Sequence, residues 1–200
     1  MIKAIIFDWG GVLIHNPAPL MYEFLAQKLG VGKEQFPILF KPYEADLTQG
    51  KISEKELWTR IGQDLNRNFE IANWWKEAVD YAFQDQIAVH DLAHQLKAQG
   101  YRTSFLSNTE LSAMHYFYDH HYDNFLESPV FSCVEGCQKP QPEIYQIACE
   151  RLGLKPEETV FIDDKLPYIE GSRRLGMHGI VFENVEQLKR ELTLLGVKID

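Results

Sequence analysis

From residue 89 onward the chain alternates short apolar runs with segments of helical period, and this limits the fold more than any other feature. Val89 to Gln99 puts Val89, Leu92, Ala93 and Leu96 on one helical face and stops at Gly100. Tyr101 to Ser107 then reads as a strand, as do Pro129 to Cys133 (more weakly), Thr159 to Asp163 and His178 to Phe182. Helices are expected between and after them at Pro142 to Leu152, Ile169 to Leu175 and Val185 to Leu195. Near the start, Lys3 to Asp8 supplies one more strand. Strands that alternate with helices call for a parallel sheet wound by right-handed crossovers.

Residues 15 to 86 break the pattern. They read as helical throughout, over Leu20 to Leu29, Lys33 to Phe40, Glu54 to Leu65 and Ile71 to Phe83. Ser53, followed by Glu54 and Glu56, makes a helix start. A helical insertion between the first and second strands lies beside the carboxyl ends of the sheet, where a lid sits. The expected fold class is therefore α/β: a Rossmann-like parallel sheet core over residues 1–14 and 87–200, with a helical cap over 15–86 inserted after strand 1.

Composition narrows the function classes. In 200 residues, 45% hydrophobic and 12% aromatic content supplies a packed core. A net charge of −9 offers no basic face for nucleic acid. No apolar run approaches the roughly 20 residues that span a bilayer, and a strand beginning at residue 3 leaves no signal peptide visible, so a cytoplasmic protein is expected. Three cysteines, Cys133, Cys137 and Cys149, lack both a disulfide pattern and zinc spacing, and free thiols are expected.

The chemistry gathers where strands end. Strand one gives Asp8, in Ile5-Ile6-Phe7-Asp8; strand two gives Ser107, in Leu106-Ser107-Asn108-Thr109. Another strand ends in Asp163-Asp164, and Lys139 precedes a helix in Gln138-Lys139-Pro140. Parallel strands bring their carboxyl ends to one edge of the sheet, so these groups can meet. A carboxylate can attack phosphorus once a divalent cation offsets the repulsion of a phosphate dianion. Asp8, one or both of Asp163 and Asp164, and a backbone carbonyl near Gly10 would hold Mg2+. Ser107 can donate to a phosphoryl oxygen, and Lys139 can offset charge in the transition state.

These four motifs, in this order, resemble those of the haloacid dehalogenase superfamily, whose main members are phosphatases. The run Asp8-Trp9-Gly10-Gly11-Val12 with Leu106-Ser107-Asn108-Thr109 is similar to the branch of bacterial α-glucose-1-phosphate phosphatases and epoxide hydrolase phosphatase domains. The resemblance implies Asp8 as nucleophile, Lys139 as charge stabiliser, and Ser107, Asn108 and Lys139 as phosphate ligands. It implies Mg2+ held by Asp8, the Gly10 carbonyl, Asp163 and Asp164. It implies a small phosphorylated metabolite, sugar phosphate-like, as partner, and a monomer or homodimer. Two positions depart from the pattern. Gly10 stands where an acid/base aspartate is usual, and that help is worth about 10²–10⁴-fold. Tyr168 stands where asparagine is frequent. Two rival readings stay open: a metal-free dehalogenase on the same fold, in which Asp8 attacks carbon, and a binding or regulatory protein with weak turnover.

Other residues are read more blandly. His90 and His94 are spaced as metal ligands on a helix, but a partly packed face fits them better. The aromatic run from His115 to Tyr122 fits ordinary packing. Trp74 and Trp75 are balanced between lining a sugar pocket and sealing the core of the cap. Glu44, Asp46 and the turn Thr48-Gln49-Gly50 are balanced between leaving-group contacts and a plain loop.

Overall fold

The computed structural model describes residues 1–69 and 73–199. Five strands form one parallel sheet: β1 (Ala4–Phe7), β2 (Arg102–Ser107), β3 (Glu127–Phe131), β4 (Thr159–Asp163) and β5 (His178–Val181), in the order β3-β2-β1-β4-β5. β1 is central, with Ala4 registered against Arg102 on one side and Thr159 on the other. The sheet is laid down outward to β3, then outward again from β4 to β5, so the winding reverses between β1 and β4. In open α/β sheets a crevice opens at that reversal, outside the carboxyl ends.

Among the described residues, ten α-helices accompany the sheet. They are α1 (Ala18–Leu29), α2 (Phe36–Thr48), α3 (Glu54–Asp64), α4 (Trp74–Ala82), α5 (Ile87–Ala98), α6 (Leu111–Asp119), α7 (Ser132–Glu135), α8 (Pro142–Leu152), α9 (Leu166–Leu175) and α10 (Val185–Leu194). None of them is long and apolar enough to cross a membrane, among the described residues.

Strand side chains alternate between faces, and β1 shows it within four residues. Ala4 and Ile6 join the cluster of α8 and α9 residues, including Ile144, Ala148 and Ile169. Ile5 and Phe7 join the other cluster, which takes in α5, α6 and α10 and runs on into α1–α4. β1 is wholly buried. That burial on both faces explains its unbroken apolar sequence.

The strand and helix expectations hold, with shifts of a few residues at most ends. α3 begins where Ser53 predicted: its backbone N–H donates to Glu56 Oε2 at 3.0 Å, and its Oγ accepts from the Glu56 N–H at 3.2 Å. The helix expected over Ile71 to Phe83 begins on residues 71 and 72, which lie outside the described residues; its described part is α4. The exception is α2. The expectation ended it at Phe40, yet it runs through Pro42 to Thr48. Proline removes one helical N–H. Here the deprived carbonyl belongs to Ile38, a residue 73% exposed, where water can replace the donor.

Two chain crossings join α1–α4 to the rest, and they run side by side. The His15 N–H donates to Gln84 O and the Gln86 N–H to Leu13 O, both at 2.8 Å, flanking an antiparallel Ile14–Asp85 bridge. At the opposite rim, Ser112 donates through its backbone N–H (3.0 Å) and its Oγ (2.8 Å) to Glu54. Thr48 Oγ1 donates to Gln138 Oε1 at 2.6 Å. Helices α1–α4 are thus docked over the carboxyl ends of the sheet.

Candidate active site

β1 delivers Asp8 directly off its last residue, and the Asp8 N–H donates to Ile162 O of β4 at 2.9 Å. Trp9, 2% exposed, locks the following residue in place. Phe83, Phe105, Phe117 and Tyr122 meet its ring edge-on at centroid distances of 5.0 to 5.8 Å. The aromatic run of α6 and Tyr122 thus serves packing, as expected. Gly11 then turns the chain at φ +92°, and a side chain there would meet Asp164 Oδ2 at 2.6 Å. Only glycine fits both the turn and the space beside that carboxylate.

Lys139 stands at the centre. It is 1% exposed, and its Nζ lies 2.7 Å from Asp8 Oδ1, 2.6 Å from Asp163 Oδ2 and 3.3 Å from Leu106 O. Three acceptors match the three protons of an ammonium. Burial works to lower the Lys139 pKa, but the Asp163 and Asp8 charges outweigh it and hold the group charged, above its ordinary value. Asn108 fixes the loop that carries it: the Lys139 N–H donates to Asn108 Oδ1 at 2.8 Å, and Asn108 Nδ2 donates back to Lys139 O at 3.0 Å. The Asn108 side chain is therefore engaged with the Lys139 backbone, and the residue also lines the cavity. Ser107 is buried at the end of β2 and lines the same cavity.

Asp8, Asp163 and Asp164 each offer an oxygen within 4.8 Å of the others'. Three carboxylates against one ammonium leave a buried surplus of negative charge. Burial and then the Asp8 charge push Asp163 up to about 7, against the pull of Lys139. The same two causes raise Asp164. Asp163 has both oxygens engaged, Oδ2 by Lys139 and Oδ1 by the Lys165 N–H at 2.8 Å. Asp164 Oδ1 is buried with no partner. No hydrogen bond reaches the Gly10 carbonyl among the described residues. Surplus charge and an orphaned carboxylate oxygen fit a hard divalent cation.

A cavity of about 160 Å³ opens onto this cluster. Asp8, Ser107 and Lys139 form its floor, while Tyr22, Glu44 and Trp75 reach it from α1, α2 and α4. Trp75 lines the cavity and packs on Phe40 and Trp58; Trp74 packs on Trp58 and Phe69. Glu44 and Thr48, one helical turn apart, reach the cavity because α2 continues past Pro42. Tyr168 lies against Lys139, whose Nζ is 5.1 Å from the ring centroid. Away from the cavity, His90 Nε2 lies 2.9 Å from Leu13 O, and the His94 ring packs on Phe125. The three cysteines are free.

Sequence reasoning missed Glu110. It is 8% exposed, lines the cavity, and comes three residues after Ser107, a spacing that was available to find it. Burial, above all, pushes its pKa up to about 7; the Trp75 indole pulls it down and Glu54 raises it. A carboxyl raised in the folded state stabilises the fold below its unfolded value of 4.5, and that contribution fades as pH climbs to about 7. Glu110→Gln is expected to flatten the fall in stability across this window, measured by urea unfolding at several pH values; an unchanged slope would exclude Glu110 as its source.

The comparisons with known proteins agree with the geometry. A family model described as haloacid dehalogenase-like hydrolase matches residues 2–176. The chain belongs to this family. It is 26% identical to D-ribitol-5-phosphate phosphatase of Bacteroides thetaiotaomicron, over 98% of each chain. It is 30% identical to bifunctional epoxide hydrolase 2 of Mus musculus over 66% of its own length. Some relatives are far longer: the chain spans 24% of that epoxide hydrolase and 19% of the Mus musculus acyl-CoA dehydrogenase family member 10. Among solved structures, a haloacid dehalogenase family enzyme from Bacteroides thetaiotaomicron, in complex with magnesium and inorganic phosphate, superposes with a TM-score of 0.75 at 23% identity, covering 92% of this chain and 95% of that one. The protein is thus a haloacid dehalogenase-like hydrolase, with the α/β fold expected of one.

Gly10 is confined by its neighbours in this hydrolase. A Cβ there would meet Pro17 Cδ at 3.3 Å. Gly10→Asp, which restores the usual acid/base carboxylate, is expected to destabilise the fold by about 1 kcal/mol because the Pro17 ring must shift. Thermal unfolding of the variant checks this, and an unchanged Tm would show that the pocket already accommodates the side chain.

Proposed function

We propose that the protein is a Mg2+-dependent phosphatase acting on a small, sugar phosphate-like monoester through an aspartyl-phosphate intermediate. The observation that carries this reading is the Lys139 ammonium bridging Asp8 and Asp163, beside the orphaned Asp164 oxygen, at the floor of a cavity. The phosphatase and magnesium–phosphate relatives support it.

In this reading one Asp8 oxygen forms a bond to phosphorus while the bond to the leaving oxygen breaks. That oxygen takes a proton from water or from the substrate, because Gly10 offers none. Water then attacks phosphorus, releasing phosphate and restoring Asp8. Lys139 offsets charge on the phosphoryl oxygens and holds Asp8 in line. The Ser107 hydroxyl and the Asn108 backbone N–H donate to the same oxygens. Asp8, Asp164 and the Gly10 carbonyl would hold the cation directly, with Asp163 orienting Lys139 behind them; the cation supplies charge neutralisation and polarisation of the phosphoryl group. Residues 15–86 act as a cap over a core of 1–14 and 87–200, excluding water while Asp8 is phosphorylated.

The test is a screen of phosphorylated metabolites with Mg2+, using Asp8→Asn as control. Phosphate release that vanishes in Asp8→Asn and under chelation is the expected result. Release that survives in Asp8→Asn would overturn the nucleophile, and halide release that survives chelation would favour the dehalogenase reading.

A further inference from the structure

We propose that Glu110, together with the indole N–H of Trp75, forms the leaving-group end of the cavity and selects a phosphate ester whose leaving group is uncharged and carries hydroxyls. The inference rests on the phosphatase reading and extends it from the reacting phosphate to the rest of the substrate.

The cavity holds Asp8 paired with Lys139, and Lys165 lines it as well. The same cavity is also lined by Glu110 and Glu44. Glu110 has no cation partner among the described residues. The charged and titratable groups that bear on it are Glu54, already engaged by Ser112, the Tyr22 phenol and the Cys133 thiol. Glu44 is paired with Lys41 at 2.7 Å. Above pH of about 7, where Glu110 is ionised, a leaving group bearing a second phosphate or a carboxylate would place its charge against this buried carboxylate, where like charges cost most.

A neutral hydroxyl suits the same place. Trp75 is 3% exposed, and its buried Nε1 lies close enough to Glu110 to pull that carboxyl's pKa down, yet makes no hydrogen bond of good geometry. A buried donor left unpaired is costly, and here it lies beside Glu110. A substrate hydroxyl can accept from the indole and donate to the carboxylate at once. Glu110 and Trp75 come from different sides, one from the loop into α6 and the other from α4. A bound hydroxyl would therefore tie α4 to the sheet side while the phosphate is held below.

The probes are a pentitol monophosphate, a sugar bisphosphate and p-nitrophenyl phosphate, whose aromatic leaving group has no hydroxyl to offer. Above pH of about 7, wild-type protein is expected to favour the pentitol monophosphate over the bisphosphate by at least about tenfold in kcat/KM, the scale of one lost polar match. In Glu110→Gln, an isosteric change that removes the charge, the ratio of the two is expected to shrink about tenfold. In Trp75→Phe, the ratio of pentitol monophosphate to p-nitrophenyl phosphate is expected to fall about fivefold. Ratios within one variant are insensitive to the fraction folded. Equal use of mono- and bisphosphate by the wild type, or ratios unmoved in both variants, overturns the proposal. Asp8-dependent hydrolysis of p-nitrophenyl phosphate without turnover of the pentitol monophosphate also overturns it and leaves the phosphatase reading intact. If no phosphate release depends on Asp8, both fall.

Discussion

Lys139→Met is expected to lower turnover by about 10²–10³-fold and to destabilise the fold by about 3–5 kcal/mol. Methionine fills a similar length of space but brings no charge. Asp8 and Asp163, each now less than 3 Å from the ammonium, would face one another without a cation, and Leu106 O would lose a donor. Water cannot screen them, since Lys139 is 1% exposed and Asp163 is fully buried. The destabilisation should depend on pH with a definite sign. Asp163 is already raised from 3.8 to about 7 with Lys139 present. Removing the ammonium raises it further, and a carboxyl raised in the folded state contributes stability that is lost as pH rises through its folded value. Urea unfolding at pH 5 and pH 8 checks this: the deficit of the variant should be small at the lower pH and full at the higher. A deficit that is the same at both, or below about 1 kcal/mol, would show that the pair is not coupled in the way the contacts imply.

The site was legible in the sequence to the extent that backbone topology places it. A strand buried on both faces tends to be an apolar run, and in a parallel sheet its carboxyl end has a known location. Asp8 and Asp163 close such runs; Ser107 closes β2, which is as buried but carries Thr103 and Ser104, so its Phe105-Leu106 pair and its motif marked it. Lys139 was found through its motif. Asn108 lines the cavity as well, and its side-chain amide grips the backbone of Lys139; that contact depends on loop geometry, which residue type does not encode. Glu110 went unnoticed because it lies beyond the strand end on a loop, and its significance comes from burial beneath α4, a contact between segments far apart in the chain. The length of α2 was misjudged for a related reason. Pro42 is a valid stop signal, and it is overridden because the carbonyl it deprives faces solvent and Leu47 docks in the core. That override carries Glu44 and Thr48, both named from the sequence as residues of a loop, into the cavity on a helix instead.

Millimolar Mg2+ is expected to raise Tm by roughly 5–10 °C: a ligand at about 100 times its Kd adds about 2.7 kcal/mol, and a chain of this size gains about 2–4 °C per kcal/mol. The reason is electrostatic. Without a cation the fold holds three carboxylates around the Lys139 ammonium, and burial first, then the Asp8 charge, raise both Asp163 and Asp164. Asp164→Asn separates this from a general salt effect, because its two consequences have opposite signs. In chelator it removes one of the crowded charges, so the variant should melt above the wild type. With Mg2+ it replaces a carboxylate that has an oxygen buried without a partner by a neutral amide, so the variant should gain much less than the wild type and melt below it. The two melting curves should therefore change order when Mg2+ is added. Calorimetry on both proteins, with Ca2+ and K+ as controls, measures this without any substrate. If the order stays the same and the wild type does not shift, the carboxylate cluster is not a divalent-cation site. The surplus charge would then have to be met by protons alone, with Asp163 carrying one near neutral pH.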